Sequence, residues 1–166
     1  MVTLRITDVK KCMNELLCKD TFDFFLLQEA TINTYASFSI DGHRLDDYYS
    51  KEELEAMDDE DVLLSYEMFR NHFFEIIKGK KVPLSFKIIL SLPKRIVAQL
   101  INASELNYQA KDANLVAIFK YSEGELTVTS GVGFSEFIMD KSLEKEFDKW
   151  LQNFLNAAGI DNDKIT

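Results

Sequence analysis

Apolar and polar residues alternate with period two over several short stretches of the chain, and this pattern predicts β-strands. The clearest stretch is 84–92, while 22–29 and 31–40 are rich in the aromatic and β-branched residues that strands favour. Asp41-Gly42 is a strong hairpin signal, because a type I′ turn needs positive φ at both central residues. The predicted strands cover residues 3–6, 22–29, 31–40, 43–49, 84–92, 106–109, 115–121, 125–130 and 134–139.

Four other stretches place apolar residues three and four positions apart, which predicts amphipathic helices. The first helix follows Thr7, a good N-cap residue, and the third follows Pro93, which suits the first turn of a helix. Gly79 and Gly159 stand where the second and fourth helices should end, and the tail after Ile160 is expected to fray. The apolar positions are Val9, Met13, Leu16 and Leu17; Val62, Tyr66, Phe69, Phe73, Ile76 and Ile77; Ile96, Val97, Leu100 and Ile101; and Leu143, Phe147, Trp150, Leu151, Phe154 and Ala158.

The first and third helices belong to segments that match each other at a constant offset. The segments that begin at Thr7 and Ser91 share a cap, a basic pair and the spacing of their apolar residues, and the strands around them follow in the same order. We therefore predict an α+β fold whose antiparallel sheet is built from two tandem βαβββ units with their helices on one face. Coincidence between two ordinary amphipathic helices is the alternative. The predicted single domain, 1–166, divides into a first repeat (1–49), an acidic linker with an inserted helix (50–81), a second repeat (82–139) and a C-terminal helix (140–159).

The two strand–helix junctions and this topology resemble a domain of the DNA sliding clamps. The junctions read Leu-x-Ile-x-x-Val at 4–9 and Phe-x-Ile-x-Leu-x-x-Pro at 86–93. Clamps are acidic proteins whose inner helices present bases to the DNA backbone, so the resemblance implies nucleic-acid contacts from the bases of the first and third helices. Ordinary solvated helix faces are the alternative, and Glu15, on the same predicted face as Lys11, argues for it. The four bases are Lys10, Lys11, Lys94 and Arg95.

As a whole, the chain is also similar to members of an uncharacterised bacterial family of unknown function. The phrases that carry this similarity are LRITDVKK at 4–11, IDGH at 40–43 and DKSLE at 140–144. This second resemblance implies no activity.

The chain is acidic, with 28 acidic residues against 19 basic ones and a net charge of −9, so general attraction to nucleic acid or to an anionic membrane is disfavoured. Much of the acid falls between Asp46 and Asp61, but the residue order of a calcium-binding loop is missing there. The sequence has no apolar run that could span a bilayer and no signal-peptide pattern at its start, so we expect a cytoplasmic protein without a membrane segment. On one helix, Cys12 and Cys18 would lie too far apart for a disulfide.

Catalytic patterns are absent from the sequence, and neither a cofactor nor a metal site is predicted. His43 and His72 belong to no catalytic or metal-binding motif. Lys78, Lys80 and Lys81 follow the second helix, where a favourable interaction with its dipole explains them. The function that we favour is a non-enzymatic scaffold or binding protein with a sliding-clamp-like fold, which contacts DNA or protein.

Two alternatives stay open. A small-molecule-binding or enzymatic domain would have a pocket between the sheet and the terminal helix, rimmed by Tyr48, Tyr49 and Tyr66. A partner-binding module would instead use the acidic segment 46–61 or the aromatic stripe of the terminal helix.

Overall fold

The computed structural model describes residues 1–57, 61–104, 106–107, 109–136 and 140–166. Short 3₁₀ turns lie at Asp46–Tyr48 and Ala110–Asp112. Over the described residues the order of elements is β1 (Thr3–Ile6), α1 (Val9–Leu17), β2 (Leu26–Asn33), β3 (Ser37–Asp41), α2 (Lys51–Ala56), α3 (Glu67–Ile77), β4 (Ser85–Ser91), α4 (Lys94–Ala103), β5 (Ala113–Ser122), β6 (Glu125–Phe134), α5 (Ser142–Ala157) and β7 (Asn162–Lys164).

The strands form one open antiparallel sheet in the order β3-β2-β4-β5-β6-β1-β7. Burial alternates along β5: Leu115, Ala117 and Phe119 are fully buried, while Val116 is half-buried and Lys120 is exposed. The buried face carries the apolar core, to which α1, α3, α4 and α5 add their own buried side chains. The predicted α+β class with an antiparallel sheet is therefore confirmed.

The opposite face of the sheet, called the open face below, is mostly polar. Its register aligns Thr31, Lys87, Lys120, Thr127 and Arg5 in one row across the strands. Within this row, Lys87 and Lys120 lie directly opposite each other, and both are exposed. Because like charges in directly opposed positions repel, this pair lowers the stability of the sheet.

The C-terminal helix α5 closes the core, as predicted. Phe147 is fully buried, whereas Trp150 and Phe154 are half-buried and stack with their ring centroids 5.3 Å apart. Phe154 also lies 5.6 Å from Phe22 and from Phe25, in the loop before β2. Much of the surface of this aromatic stripe is therefore buried within the protein.

The first predicted hairpin turn is wrong. Residues 34–36 join β2 to β3, and Asp41 is the last residue of β3 instead of part of its turn. Gly42 does not have a positive φ. It is needed for close packing, because a Cβ at this position would lie 1.8 Å from the Leu27 carbonyl oxygen. The Asp-Gly signal therefore has a different physical cause from the one that the turn prediction assumed.

The returning strand predicted at 43–49 is also wrong. His43 makes only an isolated bridge to Leu63, and Asp46–Tyr48 form a 3₁₀ turn. The second predicted turn is confirmed, because Glu123 and Gly124 have φ values of 53° and 80° between β5 and β6.

The chain after Ile160 does not fray. It forms β7, which pairs with β1, and the Ile165 N–H donates to the Thr3 carbonyl at 2.9 Å. Backbone pairing with β1 supplies the order that the polar sequence of the tail did not indicate.

Each half of the chain contains a strand, a helix and a hairpin in the same order, β1-α1-β2-β3 and β4-α4-β5-β6. Their strand neighbours differ, because β4 pairs with β2 and β5 whereas β1 pairs with β6 and β7. The duplicated unit and the clamp likeness stay predictions.

The strand predicted at 106–109 is not formed at its described residues, 106, 107 and 109. Tyr108, residues 137–139 of the last predicted strand and residues 58–60 of the acidic segment lie outside the described residues.

Candidate functional site

Helix α3 is held firmly against its neighbours. The Tyr66 hydroxyl is buried and donates to the Leu16 carbonyl at 3.0 Å, at the end of α1. The Arg70 guanidinium donates two hydrogen bonds to the Asp23 carboxylate, at 2.8 and 3.1 Å, and this raises the pKa of Arg70. The first turn of α3 is therefore fixed against the end of α1 and the loop before β2.

The segment after α3 combines basic and apolar residues at the surface. Gly79 has a φ of 141°, which lets the chain turn away at the end of the helix. The Leu84 N–H then donates to the Asn33 carbonyl at 2.9 Å and leads the chain into β4. We define the basic–apolar surface as Tyr35, Lys78, Lys80, Lys81, Val82 and Leu84, which line a cavity of about 500 Å³.

Three apolar side chains of the basic–apolar surface are unusually exposed. Tyr35 is 87% exposed at the β2–β3 turn, Val82 is 76% exposed and Leu84 is 73% exposed. Beside them, the Thr34 hydroxyl oxygen is buried and has no hydrogen-bond partner among the described residues. Buried polar atoms in proteins are normally hydrogen-bonded, so this hydroxyl is an exception beside the cavity.

A second cavity, of about 330 Å³, continues the surface towards α1. Ile77, Lys78 and Val82 line both cavities. The second cavity is mostly apolar, and Met13 is half-buried in its wall while Lys10 is exposed at its rim. The two cavities therefore adjoin along these three residues, and together they are called the groove below.

The charge of this groove is opposite to that of the whole chain. Lys78 pairs with Glu75 at 2.6 Å and lies 5.9 Å from the centre of the Phe74 ring. In the part of the chain that the structure describes, Lys80 and Lys81 have no ion-pair partner. A basic cluster beside exposed apolar groups, in a chain of net charge −9, makes this the strongest candidate site for a partner.

The four bases predicted to contact nucleic acid lie on two helices that leave the sheet at opposite ends. All neighbouring strands are antiparallel and three such steps separate β4 from β1, so α1 and α4 leave the sheet at opposite ends. Lys10 lines the groove near the start of β4, and Lys94 lines a different pocket beside Ser91 at its end. Arg95 is exposed on α4. Their contact with nucleic acid stays a prediction.

Lys11 is engaged within the protein. It lies 3.4 Å from the carboxylate of Glu15, which is 5% exposed and not on a solvated face as the helical wheel suggested. The Thr21 hydroxyl and the Lys19 ammonium also donate to this carboxylate. These hydrogen bonds lower the pKa of Glu15 against the opposing effect of burial. The ion pair with Glu15 therefore neutralises much of the Lys11 charge that a phosphate would otherwise contact.

The structure also describes the two cysteines, the residue types that could bind a metal ion, and the length of the apolar helices. Both cysteines are free: Cys18 is exposed, and burial raises the pKa of Cys12 to about 12. In the described part of the chain, no group of three or more His, Cys, Asp or Glu residues could hold a metal ion. Among the same residues, no helix is both long and apolar enough to span a bilayer.

Sequence reasoning missed Tyr35, Val82 and Leu84 as functional candidates. The pattern places Tyr35 and Leu84 in predicted strands, which normally point such side chains into a core, and it gives Val82 no role. A usable signal was present in the stretch KGKKVPL at 78–84, where bases and apolar residues are interleaved after a helix end. Exposure itself could not be inferred, because it depends on where α3 ends against β2.

Comparison with known proteins gives one significant relationship. The chain matches the model of DUF5721, described as a family of unknown function, over residues 15–163. No curated protein and no solved structure is significantly similar to it. Because the match covers most of the sequence, including both walls of the basic–apolar surface, the chain belongs to the DUF5721 family of unknown function.

Proposed function

We propose that this chain is a non-enzymatic binding protein that docks an acidic, amphipathic segment of another protein on the basic–apolar surface. The observation that carries the proposal is the exposure of Tyr35, Val82 and Leu84 around a cavity of about 500 Å³ edged by lysines. Exposed apolar patches rimmed by charged residues are typical of protein interaction sites.

The apolar part of the surface would supply most of the binding free energy. Complete burial of a side chain such as leucine contributes about 1.5–3 kcal/mol, so the exposed valine and leucine offer several kcal/mol to a partner. Tyr35 adds a large, stiff ring of the kind that often dominates interface energies. An apolar anchor on the partner would fill the groove between Tyr35 and Val82.

The lysines would select the partner by charge. Lys80 and Lys81 lie at the edge of the groove, where interfacial charges chiefly accelerate association and exclude wrong partners. An acidic segment fits this edge, whereas a basic or neutral one does not. Because the rest of the chain is acidic, such a segment would be repelled elsewhere and guided to this surface.

Affinity capture with variants tests the proposal. The immobilised protein should retain a partner from cell lysate that Lys80→Glu/Lys81→Glu and Leu84→Ser each lose, with retention by the wild type weakened by salt. Lys145→Glu/Lys149→Glu, which reverses two exposed lysines on α5, is the matched control and should retain the same partner. The bound region of the partner, mapped by crosslinking, should be acidic with regularly spaced apolar residues.

Three results would contradict the proposal. The first is equal retention by the wild type and both groove variants. The second is a mapped region that is neutral or basic. The third is retention of a duplex DNA probe that the Lys80→Glu/Lys81→Glu variant loses, which would assign this surface to nucleic acid instead.

A further inference from the structure

A separate polar pocket lies on the open face of the sheet, where β4 ends and β5 begins. Its volume is about 330 Å³, near the lower limit of typical small-molecule sites. This pocket lies away from α5, the place considered in the sequence analysis. Its polar lining consists of Gln28, His43, Asp61, Ser91, Lys94 and Asn114.

The backbone around the pocket is irregular in a way that shapes it. The register between β2 and β4 shifts at Leu27/Glu29, and this bulge makes Gln28 an extra residue in the strand. Bulges often redirect a side chain next to a binding site. The backbone of Gly42 packs so closely on β2 that a Cβ there would lie 1.8 Å from the Leu27 carbonyl oxygen.

The segment that leads into α3 completes the wall. The Leu64 N–H donates to the Gly42 carbonyl at 2.9 Å, and the Leu27 N–H donates to the Leu64 carbonyl at 2.9 Å. Residues 62–66 are therefore inserted between the end of β3 and the start of β2. The walls of the pocket are fixed by backbone hydrogen bonds rather than by flexible loops.

A chain of side-chain hydrogen bonds forms the floor of the pocket. The Ser91 hydroxyl, whose residue is 2% exposed, donates to Asn114 Oδ1 at 2.7 Å. Asn114 Nδ2 then donates to Gln28 Oε1 at 3.2 Å. The Gln28 amide is therefore the last group in this series of hydrogen bonds. Its N–H groups have no acceptor among the described residues.

Charged groups of both signs surround this floor. The Lys94 side chain donates to the Ala113 carbonyl, and its backbone N–H donates to Asp61 Oδ1 at 3.4 Å, at the start of α4. The ring of His43 donates through Nδ1 to Asp41 at 2.6 Å, which fixes its orientation at the rim. The pocket therefore combines the Lys94 ammonium and N–H donors with the carboxylate of Asp61.

We infer that this pocket binds a small molecule that carries both a carboxylate and an ammonium or other donor group, a free amino acid being the simplest example. The ligand carboxylate would accept from the Gln28 amide and from the cationic side of the pocket. Its donor group would bind Asp61 and the oxygen of Ser91. This pocket shares no lining residue with the basic–apolar surface, so a test of ligand binding here is independent of the test of the proposed function.

Thermal unfolding with a panel of free amino acids and short mono- and dicarboxylates tests this inference. At ten times its dissociation constant, a fitting probe should raise the melting temperature by about 3–6 °C. Gln28→Met keeps the size of the side chain but removes the amide, and it should abolish the shift. Gln99→Met, at an exposed position of α4, makes the same substitution outside the pocket and should leave the shift intact.

Two observations would overturn the inference. One is the absence of any shift across the panel with the folded wild-type protein at millimolar probe. The other is a shift that persists in Gln28→Met, because the probe would then bind elsewhere. Side-chain amide NMR signals of Gln28 and Asn114 provide a second readout: they should move on addition of the probe, and unchanged signals would also contradict binding at this floor.

Discussion

Reversal of charge within the Lys87–Lys120 pair offers a quantitative test of the sheet register. The two residues lie directly opposite each other on the open face, and the Cβ atoms of such pairs are about 4.5–5.5 Å apart. Ammonium groups that splay to about 8 Å in water repel by about 0.5 kcal/mol. Lys87→Glu or Lys120→Glu converts this repulsion into attraction, so each single variant gains up to about 1 kcal/mol.

The double-mutant cycle separates this pair from its neighbours. Glu29 and Glu125 lie diagonally from the two lysines and oppose each single reversal. The double variant Lys87→Glu/Lys120→Glu restores repulsion within the pair and also faces Glu29 and Glu125, so its stability should fall below that of the wild type. The coupling free energy of the cycle contains only the pair and is expected to be about 2 kcal/mol at low ionic strength.

Urea unfolding followed by the fluorescence of Trp150, the one tryptophan, measures this coupling. Each single variant should raise the urea midpoint by up to about 0.5 M. At about 1 M salt the Debye length falls to about 3 Å, so most of the coupling should disappear. A coupling below about 0.5 kcal/mol at low salt, or one unchanged by salt, would refute the assigned register.

Two further predictions concern the interior. Gly42→Ala should lower the free energy of unfolding by about 3 kcal/mol because of the clash with the Leu27 carbonyl, whereas Gly133→Ala, which meets nothing within 4 Å, should change it by less than about 1 kcal/mol in urea titrations. Glu15→Gln should cost about 1–2 kcal/mol at neutral pH. Since hydrogen bonds from Thr21 and Lys19 lower the pKa of Glu15, its stabilisation is present above the unfolded-state pKa and is lost as pH falls through the folded-state pKa. Unfolding measured from pH 7 down to pH 3 should therefore show the two proteins converging in acid, and a constant difference would contradict this role.

Local pattern was sufficient where one physical cause dominated. The period-two run before Pro93 became β4, and the apolar spacing from Leu143 to Phe154 became α5. The Glu123-Gly124 turn was also predictable, since positive φ at two consecutive residues has few other causes. In each case the local preference agreed with the final packing.

Prediction failed where a residue serves a distant contact. Gly42 has the sequence signature of a turn, but it is required because β2 passes close to its backbone. Glu15 has the helical position of a solvated residue, yet Lys11, Lys19 and Thr21 enclose it. The polar pocket unites residues from five separate segments, so no spacing in the sequence could indicate it.

The pairing of β1 has a consequence for synthesis of the chain. Thr3 is paired with Thr129 in β6, and Arg5 is paired with Asp163 in β7. During translation, the first strand therefore leaves the ribosome long before either of its neighbours has been made. Its unpaired backbone and the apolar Leu4 and Ile6 must stay exposed or be shielded by a chaperone until β6 and β7 have been made.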